Sequence, residues 1–217
     1  MLESVQGGEQ FGRYSFIGLP SKVRYEVRGH ACSEIRDGIV VSEMEKSDPI
    51  NWVSELQQRT KAFYRDDLPR FLGGLVGYFG YETIHLIEKR VGGSDPKPDS
   101  IGCPDILLLH SDEVIVYDNL ASKLYFVVFA NPQETGAYDI AQKRLSTLFL
   151  ALRQPVEELP EERRQLEQPL EETSENQFYQ SVERAKEYIC EGDIMQVVLS
   201  QRMSVPFHAP PLSLYRA

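Results

Sequence analysis

The chain has 217 residues, of which 41% are hydrophobic and 26% charged, and a formal net charge of −10. That is the mix of an ordinary globular protein of one or two domains with a sizeable core. The acidic balance argues against a nucleic-acid surface, which needs clustered Lys and Arg, and no apolar run reaches the roughly 20 residues of a membrane-spanning helix.

The opening Met1-Leu2-Glu3 has neither the basic nor the apolar region of a secretory signal. Cys32, Cys103 and Cys190 are widely separated and odd in number, so neither a CxxC zinc pattern nor a disulfide framework fits them. The expectation is a protein of the reducing cytoplasm.

In chain order, Leu2 to Gly18 reads as a strand end, a turn at Gly7-Gly8 and a second strand. Strict alternation over that strand puts Phe11, Arg13, Ser15 and Ile17 on one face and Gly12, Tyr14, Phe16 and Gly18 on the other. Glu3, Ser4 and Arg13 bring a carboxylate, a hydroxyl and a guanidinium to one hairpin. The pattern leaves open an edge strand with solvated polar groups and a site for a small zwitterion. Residues 22–28 alternate as a half-buried strand. Two short strands, 31–36 and 39–43, flank Asp37-Gly38, a hairpin signal. Asp48 is a natural N-cap with Pro49 at the first helical position, followed by an apolar stripe of Ile50, Val53, Leu56 and Phe63, with Trp52 near the start.

The segment Phe71 to Gly80 is apolar and holds four glycines. Its spacing matches neither GxGxxG nor GxxxxGK[ST], so a close backbone approach is expected, not a phosphate loop. Residues 81–89 read as a helix and 95–104 as a loop. The runs 106–110, 113–117 and 123–130 read as an antiparallel meander turning at Ser111-Asp112 and Asn119-Leu120-Ala121. A helix over 134–153 carries Ile140, Leu145, Leu148 and Leu152. Grouped rather than alternating strands and helices predict an α+β fold of layered antiparallel sheets with outer helices.

Residues 154–173 have a Pro-, Glu- and Gln-rich linker composition. Ser174 then caps a helix with Gln177 closing the capping box, Phe178, Val182, Ala185 and Ile189 form its stripe, and Gly192 takes the C′ position. A long strand is expected over 194–205 and a last helix from Pro210-Pro211. The organisation predicted is 1–153, a linker over 154–173, and the start of a second, truncated domain over 174–217. One helix and one strand cannot bury their apolar faces alone.

The chain has no GxSxG, HExxH, P-loop or Cys/His cluster. His30, His85, His110 and His208 are scattered; His85 lies in an apolar helical context and reads as a satisfied, partly buried histidine. Glu82 and Glu88 do not make an acid–base pair on spacing alone. On residue chemistry alone, no active site is visible.

Four segments together resemble the large, chorismate-using component of anthranilate synthase. They are Leu2-Glu3-Ser4 with the Gly-Gly-Glu turn and 12–18; Gly73 to Glu82; Pro104-Asp105 with the following strand and Asp118; and Gly192 to Arg202. The resemblance implies an N-terminal regulatory domain and a C-terminal domain that binds chorismate and Mg²⁺ and carries the catalytic residues, all of them beyond Ala217. It implies conversion of chorismate and ammonia to anthranilate and pyruvate in L-tryptophan biosynthesis. The ammonia would come from a separate glutamine amidotransferase subunit, in a heterotetramer, and L-tryptophan would be the feedback inhibitor. Carried over, Ser4 is the residue for a hydrogen bond to the inhibitor, with Glu3 beside it and Arg13 at a basic position near the pocket. Gln196, Ser200 and Gln201 read as structural. The alternatives are aminodeoxychorismate synthase component I, with the same substrate, and a stand-alone amino-acid-binding module. This stretch by itself is expected to be inactive and to bind tryptophan weakly at best.

Overall fold

The computed structural model describes residues 1–3, 12–59, 61–88, 90–91, 99, 101–155 and 168–217. The Gly7-Gly8 turn, Ser4, half of the expected loop over 95–104 and most of the acidic linker lie outside the described residues. The chain forms two compact units, Met1–Pro155 and Val156–Ala217.

The first unit is an α+β arrangement of two antiparallel sheets with helices packed on them. Strands β1 (Tyr14–Gly18), β2 (Val23–Arg28), β3 (Ala31–Arg36) and β4 (Ile39–Glu45) are followed by helix α1 (Pro49–Arg59) and β5 (Gly74–Phe79). A 3₁₀ turn (Tyr81–Thr83) and a single helical turn α2 (Ile84–Ile87) lead to β6 (Ile106–Ser111), β7 (Glu113–Asp118), β8 (Lys123–Val128) and helix α3 (Ala137–Ala151). The five-stranded sheet runs β4-β3-β2-β6-β5 and the three-stranded sheet runs β1-β7-β8.

The expected 106–130 meander is corrected by this topology. β6 pairs with β2 and β5, whereas β7 pairs with β1 and β8. Only Asp112 separates β6 from β7, too few residues to reverse the chain as a hairpin, so the ribbon bends out of one sheet and into the other. Segment 19–22 makes the same transfer between β1 and β2. Strands that change sheets at corners are the usual way to join two packed layers.

The main core lies under α1. Val27, Cys32, Ile106 and Leu108 form one face of the large sheet, and Trp52 and Leu56 of α1 cover it. Tyr25 meets Trp52 edge-to-face at 5.9 Å between ring centroids. Asp48 caps the helix as expected, its Oδ1 accepting from the Asn51 N–H at 2.9 Å. Helix α1 ends at Arg59, so Phe63 falls beyond the stripe and is exposed, while Trp52 is central to it. The Asp37-Gly38 turn has φ of 49° and 82°, the two positive values of a type I′ hairpin. Gly77 explains one of the clustered glycines: a Cβ there would lie 1.8 Å from the Leu107 carbonyl oxygen.

Helix α3 lies on the small sheet, where Phe149 meets Phe126 edge-to-face at 6.4 Å. Its sheet-facing row is Ala137, Ala141, Arg144, Leu145 and Leu148, which keeps Leu145 and Leu148 of the expected stripe but not Ile140 and Leu152, both exposed. Arg144 is tolerated in that row because Glu113 of β7 accepts its Nε and Nη2 donors at 2.6–3.0 Å. The expected helix over 81–89 is broken into the 3₁₀ turn and α2. His85 is exposed rather than partly buried, and its Nε2 sits 2.6 Å from Glu82.

In the second unit, α4 (Glu175–Glu191) has the predicted capping box between Ser174 and Gln177, and Gly192 closes it at φ 83°. The strand expected over 194–205 is not formed. Only β10 (Met203–Ser204) pairs, with β9 (Leu170–Glu171), and Met195 and Val198 are 97% and 82% exposed. A strand exists through its ladder, and among the described residues none of 194–201 lies in one; Arg202, whose carbonyl accepts from the Glu172 N–H at 3.1 Å, only extends the short β9–β10 pairing. The last helix is α5 (Pro211–Arg216).

Two substitutions test this core. Trp52→Ala should destabilise the first unit by about 3–5 kcal/mol, the usual loss for an emptied aromatic core site. Gly77→Ala should cost about 3 kcal/mol through overpacking against backbone. Urea midpoints at constant slope measure both.

Candidate functional site

Leu2 returns onto β1: its N–H and C=O exchange hydrogen bonds with Phe16 at 2.8 and 2.7 Å. The antiparallel bridge sends the chain from Leu2 toward Ser15 and Arg13, with exposed Glu3 the next residue on that course. Ser4 lies outside the described residues.

Arg13 precedes β1, and strict alternation fails there. Its guanidinium does not join Ser15 and Ile17; it lies over the Tyr14 ring at 4.8 Å from the centroid and pairs with Asp118, which stands opposite Tyr14 in the ladder. Nη2 donates to Asp118 Oδ2 at 2.8 Å, and Nε reaches both oxygens at 3.1 and 3.2 Å. Nη1 takes no part in that pair.

Asp118 is fully buried. A lone carboxylate there would be costly, but each oxygen is satisfied. Besides Arg13, the N–H groups of Leu120 and Ala121 donate to Oδ1 at 3.1 and 3.0 Å. The Arg13 hydrogen bond, opposed by burial and aided by those backbone donors, holds the Asp118 carboxyl below the usual carboxylate range. Next to it, the Asn119 N–H donates to the Arg13 carbonyl at 2.7 Å. Asn119 Nδ2 donates to the Gly12 carbonyl at 3.1 Å and to Ser15 Oγ at 3.3 Å. The β7–β8 turn therefore grips both sides of Arg13.

Further along the same face of β1, Tyr14 and Phe16 lie 6.2 Å apart, and Phe16 meets Phe71 edge-to-face at 5.4 Å. There an open cavity of about 220 Å³ lies between the two sheets. Phe16 and Val114 line it from the small sheet, Val76 and Leu109 from the large one, with Leu2 and Phe71 closing the sides. Its two hydroxyls bond to backbone: Ser21 Oγ lies 2.7 Å from the Val23 and His110 carbonyls, and Ser111 Oγ lies 3.5 Å from that of Glu113. The arrangement is an apolar cavity with a guanidinium three residues from Phe16 on the same strand face. It suits a small ligand with one apolar and one anionic end. Sequence reasoning gave Asp118 no role and missed the cavity. The legible signal was an isolated acid closing the alternating run Glu113 to Asp118, just before a turn.

The second unit has a wider groove of about 700 Å³, lined by Gln177, Arg184 and Tyr188 of α4 with Ile194, Val197 and Leu199. Among the described residues no cluster of three or more His, Cys, Asp or Glu could hold a metal ion, so these residues do not fit a Mg²⁺ site. No described helix is long and apolar enough to cross a membrane.

Residues 7–217 match the family model of the chorismate binding enzymes. The chain belongs to that family. It is similar along its whole length to anthranilate synthase component 1 of Pseudomonas putida, at 47% identity, and of Neisseria meningitidis serogroup B, at 42%. It spans 45% and 44% of those relatives, less than half of each. Among solved structures it resembles the crystal structure of anthranilate synthase component I from Streptococcus pneumoniae TIGR4, with TM-score 0.75 and 26% identity, covering all of this chain and 46% of that one. The layered antiparallel α+β fold is thus that of the chorismate-binding family.

Linkage gives Asp118 a pH signature. Its carboxyl titrates lower in the folded than in the unfolded chain, so its stabilising contribution is complete above the ordinary Asp value of about 4 and is lost as pH falls through its folded value. Asp118→Asn should lower the urea midpoint at pH 7, and its gap from wild type should hold down to about pH 4 and narrow as pH falls further. A gap independent of pH would refute the ion pair as its source.

Proposed function

We propose that the complete gene product containing this chain is the chorismate-using component of an anthranilate synthase. It combines chorismate with ammonia, supplied from glutamine by a separate amidotransferase subunit, and releases anthranilate and pyruvate, a carbon–oxygen lyase reaction opening L-tryptophan biosynthesis. The 47% identity to a protein of that name, sustained along the whole chain, is the observation that supports this most strongly. The assembly is read as a cytoplasmic heterotetramer. Chemistry and Mg²⁺ binding are assigned to the part the relatives have beyond this chain's match, so no catalytic step is ascribed to residues here and the 217-residue chain is read as inactive alone.

The first unit is read as the sensor for L-tryptophan. The supporting geometry is the single face of β1 that carries Arg13 at one end and the Phe16-Phe71 cavity at the other. The indole would enter the cavity. Arg13 Nη1 would meet the carboxylate, and Glu3 and Ser4 would address the ammonium and the remaining polar atoms. Inhibition requires tighter binding to the inactive state than to the active one, since equal affinity shifts nothing.

A product assay on the complete protein with chorismate and ammonia should yield anthranilate; 4-amino-4-deoxychorismate instead would assign it to the folate-pathway synthase. Ser4→Ala should raise the half-inhibiting tryptophan concentration at least about ten-fold, the cost of a hydrogen bond to a charged group. Unchanged inhibition would remove Ser4 from the site.

A further inference from the structure

We infer that Asp118, through Arg13, is a positioning residue of the effector site, and that the β7–β8 turn is the clasp that pre-forms it. The inference rests on the reading of the Glu3–Ser4–Arg13 end as that site, and adds residues 118 and 119 from a different part of the chain.

Three observations point the same way. The Asp118 carboxylate is fully buried, yet its charge faces a guanidinium at the surface, whose side chain is 38% exposed. Burying a carboxylate is unfavourable unless geometry and partners are excellent, and here the partners come from two segments, 13 and 120–121. Second, Asp118 engages the Nε and Nη2 side of Arg13 while the guanidinium lies over the Tyr14 ring, which holds it with Nη1 left over for a ligand. Third, Asn119 holds the backbone on either side through the Gly12 and Arg13 carbonyls. A mere structural staple would need only one of these.

Neutralising Asp118 has two opposed effects on an anionic ligand. The site gains net positive charge, because the guanidinium is no longer offset by a carboxylate, and that attracts an anionic ligand. It also regains rotamer freedom, which must be lost again on binding. The guanidinium is substantially exposed, so the Coulomb gain is screened. An arginine is among the side chains with most rotamer entropy to lose. Loss of pre-organisation therefore wins, and binding weakens.

The test measures tryptophan inhibition of the complete protein, each variant normalised to its own uninhibited rate. Asp118→Asn should raise the half-inhibiting concentration roughly ten-fold, with a smaller rise for Asn119→Ala, which keeps the ion pair. Because Asp118 acts through Arg13, the double variant Arg13→Gln/Asp118→Asn should be no less sensitive than Arg13→Gln alone, a non-additivity that general destabilisation would not produce. Thermal melts establish that each variant is folded; should Asp118→Asn not fold, Asn119→Ala alone decides. Wild-type inhibition together with unchanged or tighter inhibition of Asp118→Asn, or additive effects with Arg13→Gln, overturns the positioning role and leaves the tryptophan reading standing. A wild-type protein insensitive to tryptophan overturns both.

Discussion

The first unit depends on one ribbon, β6–β7, which leaves the large sheet and enters the small one at Asp112. Through this corner Leu109 and Ser111 of one sheet face the same space as Val114 of the other, so the cavity is built where the layers part. The ribbon also sets distance: six residues past the corner, Asp118 arrives opposite Tyr14 and beneath Arg13. Without the change of sheet, β6, β7 and β8 would form a flat meander. Phe16 and Leu109 would then have no shared cavity, and the acid at the end of β7 would have no arginine to meet.

Charge and burial then divide the face of β1 into two halves. At the Phe16 end the lining is apolar and its hydroxyls are turned to backbone carbonyls. At the Arg13 end a buried carboxylate is satisfied by a guanidinium and two amides. The two ends are linked by Tyr14, which touches both Arg13 and Phe16. A held cation and an adjacent apolar cavity are what an amphiphilic small molecule requires, and they come from residues that also stabilise the fold. The proposed effector site and the stability of the first unit thus draw on the same ion pair.

Local signals were legible where the physics is local. Asp48 before Pro49, Asp37-Gly38 between alternating runs, and Ser174 with Gln177 and Gly192 each satisfy nearby backbone groups, and each is formed as read. The misreadings arose where a distant partner decides. Ile140 and Leu152 fit a helical period but lost the sheet-facing row to Ala141 and Arg144, because Glu113 was there to take the guanidinium. The apolar run over 194–201 has strand composition but no ladder among the described residues. Arg13 left the face that alternation gave it for the Tyr14 side, where Asp118, 105 residues away in the chain, takes its guanidinium.

The sequence by itself determined the α+β class, most element positions, the helix caps and the family, because propensity, capping and turn chemistry act within a few residues and the four family segments can be read directly. Only the tertiary structure decided which sheet each strand joins, that Arg13 is anchored by a buried Asp118, and that an apolar cavity opens beside Phe16. Those outcomes depend on contacts between segments about a hundred residues apart, and burial, which sets both the cost of a charge and the shape of a cavity, is a property of the assembled layers.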